Sequence, residues 1–189
     1  MEKLNTIKRG QVLVNAGERG PVWRITKGLF RLERVGMDDL SLVQLGLPGD
    51  LLGVETLCAE PYAYTITAIT TGQAELVAAD RKLTRFGIVA KAYLQQQRRT
   101  HDLMKLRGGP VAERLAHFLK LLARDADGYE HELDRRDLPV LKEVASILNV
   151  ATETVCRELN AFLPARTRQQ TVRATWTAHV PLGMAVLSY

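Results

Sequence analysis

The run from Leu138 to Phe162, LPVLKEVASILNVATETVCRELNAF, constrains this chain more than any other stretch, because it reads as two short helices joined by a tight turn. Leu141, Val144, Ala145 and Leu148 recur at three- and four-residue steps and so share one helical face, while Lys142, Glu143 and Ser146 fall elsewhere. That face must be buried. Asn149 stands at the break, where a sharp reversal needs left-handed backbone that asparagine tolerates and a β-branched residue does not. A second helix starts near Thr152, with Val155, Leu159 and Phe162 as its apolar stripe. Thr152, Glu153, Cys156, Arg157 and Asn160 form another stripe pointing the other way. A bland amphipathic helix exposes a loose mix of Lys and Glu; short side chains with one Glu and one Arg at the helix start are what a recognition helix offers to base edges.

Glu153-Thr154-Val155-Cys156-Arg157 resembles the Glu-Thr-Val-x-Arg signature in the recognition helix of the cyclic-AMP receptor protein/FNR (CRP/FNR) family of bacterial transcription regulators. In a major groove, Arg157 would donate two hydrogen bonds to guanine O6 and N7, and Glu153 would accept one from a cytosine amino group. Thr152 and Thr154 would reach phosphates, which position the helix without specifying sequence. Cys156 faces the same way as a thymine-methyl contact, an oxidisable thiol beside Arg157 or a small filler, and Asn160 completes the stripe.

From Lys8 to Ala79 the chain reads as short strands punctuated by nine of its 14 glycines, the texture of an all-β module. The strand-like runs are 11–14, 22–26, 29–34, 40–45, 64–69 and 74–78. Gly36-Met37-Asp38-Asp39 suits a hairpin turn, and Leu47-Pro48-Gly49-Asp50 has Pro and Gly at type II positions. The order of Gly17-Glu18, Lys27-Gly28, Pro48-Gly49-Asp50 and Gly53 resembles the β-roll effector domain of the same family, in the family's own order.

Members of that family that bind cyclic nucleotides follow a Gly-Glu pair with an Arg, the Glu holding the ribose and the Arg the cyclic phosphate. This chain departs from the pattern. Gly53 is followed by Val54, with Glu55 displaced by one position, and the sequence at the place of the Arg is Pro61-Tyr62-Ala63-Tyr64-Thr65. No Lys or Arg occurs between Arg34 and Arg81, and a buried phosphate without a cation is hard to hold. The expectation is a regulator independent of cyclic AMP and cyclic GMP. Gly53, Val54, Glu55, Tyr62, Tyr64 and Thr65 then belong either to a pocket for an unidentified effector or to plain strand packing.

After Asp80, a candidate helix cap, Gly87 interrupts the pattern and residues 88–107 run without Gly or Pro, about 30 Å of helix. Ala90, Leu94, Gln97, His101 and Met104 form its best seam, at steps of 4, 3, 4 and 3. Family resemblance makes this the helix that pairs with a second copy; the residues alone fit a helix packed on its own β-roll nearly as well. Gly108-Gly109-Pro110 is the clearest boundary and reads as a hinge. Val111, Leu115, Phe118, Leu119 and Leu122 then mark a core helix, and residues 125–137 a charged loop or short hairpin. Beyond Leu163 the family places a two-stranded wing; here Pro164-Ala165-Arg166-Thr167-Arg168 replaces its usual entry.

Charge follows this division. Residues 1–80 carry 8 basic and 10 acidic side chains, 81–107 carry 8 and 1, and 108–189 carry 10 and 10, so the helix is the basic part. Residues 159–189 hold Arg166, Arg168 and Arg173 with no acid, which suits a tail beside phosphates. Cys58 and Cys156 are too few for an iron–sulfur cluster and fit a reducing compartment. No apolar run approaches the roughly 20 residues of a membrane span. The scattered His101, His117, His131 and His179 give no catalytic or metal spacing, so no enzyme and no cofactor is expected.

The expected fold is α+β: a β-roll over 1–79, a dimerisation helix over 80–107 and a winged helix-turn-helix over 108–189. The expected function is sequence-specific regulation of transcription in the cytoplasm by a homodimer on an inverted repeat of double-stranded DNA, with RNA polymerase as a partner by resemblance. The rival is a small-molecule sensor or scaffold whose helical part contacts protein.

Overall fold

The computed structural model describes residues 4–35 and 40–163. The turn expected at 36–39, the wing, Arg166 and Arg168 lie outside the described residues. Eight strands come first: β1 (Leu4–Ile7), β2 (Val12–Val14), β3 (Trp23–Lys27), β4 (Phe30–Val35), β5 (Leu40–Gly46), β6 (Leu51–Leu52), β7 (Thr65–Ala68) and β8 (Gly72–Leu76). Four helices follow: α1 (Lys82–Arg107), α2 (Val111–Leu122), α3 (Leu141–Leu148) and α4 (Thr152–Phe162). The chain divides into two compact units, the first reaching Leu103 and taking in Asp125–Asp127, the second beginning at Met104.

In the first unit the strands make two antiparallel four-stranded sheets, ordered β1-β8-β3-β6 and β2-β7-β4-β5. Ile7, Ile25, Leu52 and Ala74 from one sheet and Val14, Phe30, Leu32, Ile66 and Ala68 from the other form a single buried cluster. Alternation explains why: in β7, Ile66 and Ala68 are buried while Thr65 and Thr67 are half-buried. β4 and β5 pair antiparallel from Phe30 with Gly46 to Val35 with Leu40. Leu47–Asp50 turns as its residues dictate. Gly49 takes φ 88°, the Asp50 N–H donates to Leu47 O at 3.0 Å, and the Asp50 carboxylate accepts the Leu47 N–H at 2.9 Å.

Two strands exceed the sequence reading. β1 is a four-residue edge strand, and β6 has only two residues, paired with Trp23 and Arg24 of β3. The second edge of β6 is closed by a side chain. Gln95 of α1, 5% exposed, accepts the Leu51 N–H at 2.7 Å and donates to Leu51 O at 2.9 Å, as a neighbouring strand would. One turn on, Arg99 forks onto both Asp50 oxygens at 2.7 and 2.9 Å and reaches Asp102 at 2.7 Å. Burial raises the Asp50 carboxyl above its ordinary value against the pull of Arg99. Burial also works against the Arg99 charge, but Asp50 and Asp102 more than offset it.

α1 starts at Lys82 and runs straight through Gly87, where the sequence suggested an interruption. A glycine inside a helix costs about 1 kcal/mol, which a helix of 26 residues absorbs. In the second unit α2, α3 and α4 pack on one another. Leu115, Phe118, Leu119 and Leu121 of α2, Val144, Ala145, Ile147 and Leu148 of α3, and Val155 and Leu159 of α4 are buried. Ile147 and Leu121 widen the expected faces. Leu163, fully buried, closes the α4 stripe where Phe162 was expected; Phe162 stays half-buried. Between α2 and α3, Arg124 and Glu130 form a single antiparallel bridge, and Asp134 caps a 3-10 turn at Arg135–Asp137.

Candidate functional site

The turn between α3 and α4 is built as the sequence requires. Asn149 sits at φ 52°, ψ 55°, and Val150 N–H donates back to Ala145 O at 3.0 Å, closing the end of α3. Arg114 of α2 holds this end from outside. Its guanidinium donates to Leu148 O at 3.2 Å and to Gly109 O at 2.8 Å, satisfying carbonyls that α3 and the 108–110 link leave without helical partners. Arg135 does the same for α4, donating to Leu163 O at 2.6 Å and to the Asn160 carboxamide oxygen. Neither arginine was singled out in the sequence. The signal is available in retrospect only as a basic residue facing a helix C-terminus.

On α4, Val155 and Leu159 face the core. Glu153, Arg157 and Asn160 are exposed, and Thr152, Thr154 and Cys156 half-exposed. Arg157 has 74% of its side chain in solvent and makes a 3.3 Å contact to neighbouring Glu158. Ala151, the residue before α4, offers no side-chain cap, so the first peptide N–H groups of the helix point outward beside Thr152 and Glu153. Asn160 differs from the rest of the stripe in having its oxygen engaged by Arg135.

The expected seam on α1 is exposed throughout: Ala90, Leu94, Gln97, His101 and Met104 all lie in solvent. Leu83, Phe86 and Tyr93, which the sequence reading omitted, lie beside it at 83, 72 and 63% exposure. Gln95 and Arg99 project from the opposite side, about half a turn away. Both sequence alternatives for this helix therefore have a face of their own.

Of the residues considered for an effector pocket, Gly53 lies against the Tyr62 ring. Gly53, at φ 70°, opens a 3-10 turn over Val54–Cys58, and Glu55 in that turn accepts the Ala63 N–H at 2.8 Å. Thr65 Oγ1 accepts the Ala16 N–H at 3.2 Å, and Tyr64 packs partly buried against the core. Tyr62 itself is 4% exposed and donates its hydroxyl to Pro21 O at 2.7 Å. Burial, with the carboxylates of Glu55 and Glu18 nearby, raises its phenol above the usual value, so it remains a neutral donor.

No family model and no curated protein matches the sequence. Solved structures match its fold. A CRP-family transcriptional regulator from Thermus thermophilus aligns with TM-score 0.65 at 23% identity, over 92% of this chain and 91% of its own. FixK2 from Bradyrhizobium japonicum gives 0.61 at 22%, over 86% and 84%. The c-di-GMP responsive global regulator CLP of Xanthomonas campestris gives 0.56 at 14%, over 93% and 94%. The chain has the fold of CRP/FNR transcription regulators, and no described helix is long and apolar enough to cross a membrane.

Proposed function

We propose that this chain is a CRP/FNR-type transcription regulator that binds an inverted-repeat operator as a homodimer and needs no cyclic nucleotide. The observation that carries the reading is α4. Its apolar side is consumed by α2 and α3, while Glu153 and Arg157 project from an uncapped N-terminal half whose peptide N–H groups favour phosphate. Arg157 is the guanine reader, Glu153 discriminates cytosine, and Thr152 and Thr154 set the depth of the helix against the backbone. Asn160, tied to Arg135, fixes the end of the helix; Arg166 and Arg168 add phosphate contacts.

Dimerisation rests on the outer face of α1. Leu83, Phe86, Tyr93, Leu94 and Met104 leave a column of apolar surface in water, and pairing with a second copy removes it at about 25 cal/mol per Å². Two copies so joined present two α4 helices to successive major grooves about 34 Å apart, which calls for a symmetric operator. Independence from cyclic nucleotides is supported by the absence of any Lys or Arg between Arg34 and Arg81. The bound dimer would then act on RNA polymerase at the promoter.

The test is selection of bound fragments from a random duplex pool. Enrichment of an inverted repeat is expected, with affinity falling by orders of magnitude between about 50 and 200 mM salt. A pool that returns no consensus overturns the reading.

A further inference from the structure

The chain is fastened on either side of Arg157. Arg114 holds Leu148 O, just before the Asn149 turn, and Arg135 holds the far end of α4, with its Nε–H on Leu163 O at 2.6 Å and its Nη2–H on the Asn160 carboxamide oxygen. Those two acceptors are three residues apart and one planar guanidinium spans both, so its fork fixes the rotation of the helix end as well as its distance. Arg135 is presented by a closed turn. The Asp134 carboxylate accepts the Arg136 N–H at 3.1 Å, and the Asp137 carboxylate accepts the Asp134 N–H at 2.7 Å. Both neighbouring acids thus bind backbone, and among the described residues the Arg135 charge rests on neutral oxygens at a helix C-terminus.

The lever from that end to the reading residue is short. Measured from Ala151, Arg157 lies about 9 Å along the axis and Leu163 about 18 Å. A shift of ~1 Å at Leu163 therefore displaces Arg157 by about 0.5 Å, the whole spread of a good N–H···O bond. A two-bond contact to guanine does not survive that displacement unchanged.

We propose that Arg135 is a positioning residue for sequence reading: it touches no base, and by gripping Leu163 and Asn160 from outside α4 it sets where Arg157 meets guanine. The inference rests on the regulator reading and adds to it a specificity determinant from the turn before α3.

The test compares the parent, Arg135→Ala and Arg135→Lys on the operator selected from the random pool, on each of its single-base variants and on a duplex without it, at several salt concentrations and far below the thermal midpoint. Both variants are expected to lose about tenfold in the preference for the guanine read by Arg157. Lysine is included because it keeps the charge without the fork. Binding to the operator-free duplex and the salt dependence should stay as in the parent. If both duplexes weaken alike and the salt slope falls by about 0.9, Arg135 is a phosphate contact and the proposal fails. A lower thermal midpoint with the guanine preference intact leaves Arg135 a structural residue and also overturns it. Should Arg135→Ala not fold, Arg135→Lys carries the comparison, and a lysine variant with the parent's full preference is decisive against the fork. A parent that selects no operator fails the regulator reading before any variant is made; a parent with an operator whose variants keep its guanine preference fails this inference alone.

Discussion

Gln95 and Leu51 exchange two hydrogen bonds, the side-chain carboxamide of α1 pairing both the N–H and the C=O of an edge-strand residue 44 positions away. Leucine at position 95 would keep the volume and leave a buried N–H and a buried C=O unpaired, each worth about 1–3 kcal/mol. Gln95→Leu should therefore lower the urea-unfolding free energy by about 2–5 kcal/mol. A variant as stable as the parent would show the pairing to be incidental.

Arg99 and Asp50 are a buried pair with 15 and 5% of their side chains exposed, and removing one partner strands the other. Arg99→Met should cost about 3–5 kcal/mol at neutral pH, much of it returned by the double change with Asp50→Asn. The loss has a sign in pH. Burial already lifts the Asp50 carboxyl above its unfolded value, and without Arg99 it rises further. A raised carboxyl stabilises the fold below the unfolded value and less as pH climbs through the folded one, so the variant should lose more stability at pH 8 than at pH 5. A pH-independent loss would contradict this.

Leu94, 55% exposed on the outer face of α1, is the point at which charge should separate the two copies. Sedimentation should show a dimer for the parent and a monomer for Leu94→Glu, with the thermal midpoint of the β-roll little changed. A parent that sediments as a monomer at micromolar concentration excludes pairing along this face.

Arg157→Ala should weaken binding to the selected operator by about 1–3 kcal/mol, roughly 5- to 150-fold, and relax the preference at one guanine per half-site. Thr154→Ala should weaken all duplexes alike. Competition gel shifts with single-base variants separate the two outcomes; an Arg157→Ala protein that keeps its full preference would remove the residue from base reading.

What the sequence disclosed and what it hid differ in the range over which the cause acts. The Asn149 turn, the Gly49 turn and the faces of α2 to α4 follow from periodicity and from backbone preferences of single residues; the turns stand at the expected positions, and the faces differ from expectation at their margins, with Leu163 in place of Phe162 and Leu121 and Ile147 added. β6 was hidden because two residues carry no pattern; β3 on one side and Gln95 on the other make it a strand. Gln95 was hidden by its neighbours, since Gln95, Gln96 and Gln97 look alike and the heptad spacing is most apolar on the face holding Gln97. The alternative spacing Gln95, Arg99, Asp102 was equally regular, and its ion-pairing residues were the available clue. At Tyr62 the sequence registered an arginine replaced, whereas the structure has a core ring against Gly20 and Gly53, which no local rule connects.

An attachment made of a carboxamide on the N–H and C=O of one residue and a guanidinium on one carboxylate has no intermediate settings. Oily surfaces creep past one another in small steps; here a slip of a single residue along the strand would offer Gln95 a peptide facing the wrong way. The rod is thus seated like a key in a ward, and any rearrangement of it must let go of four bonds together before it can take hold elsewhere.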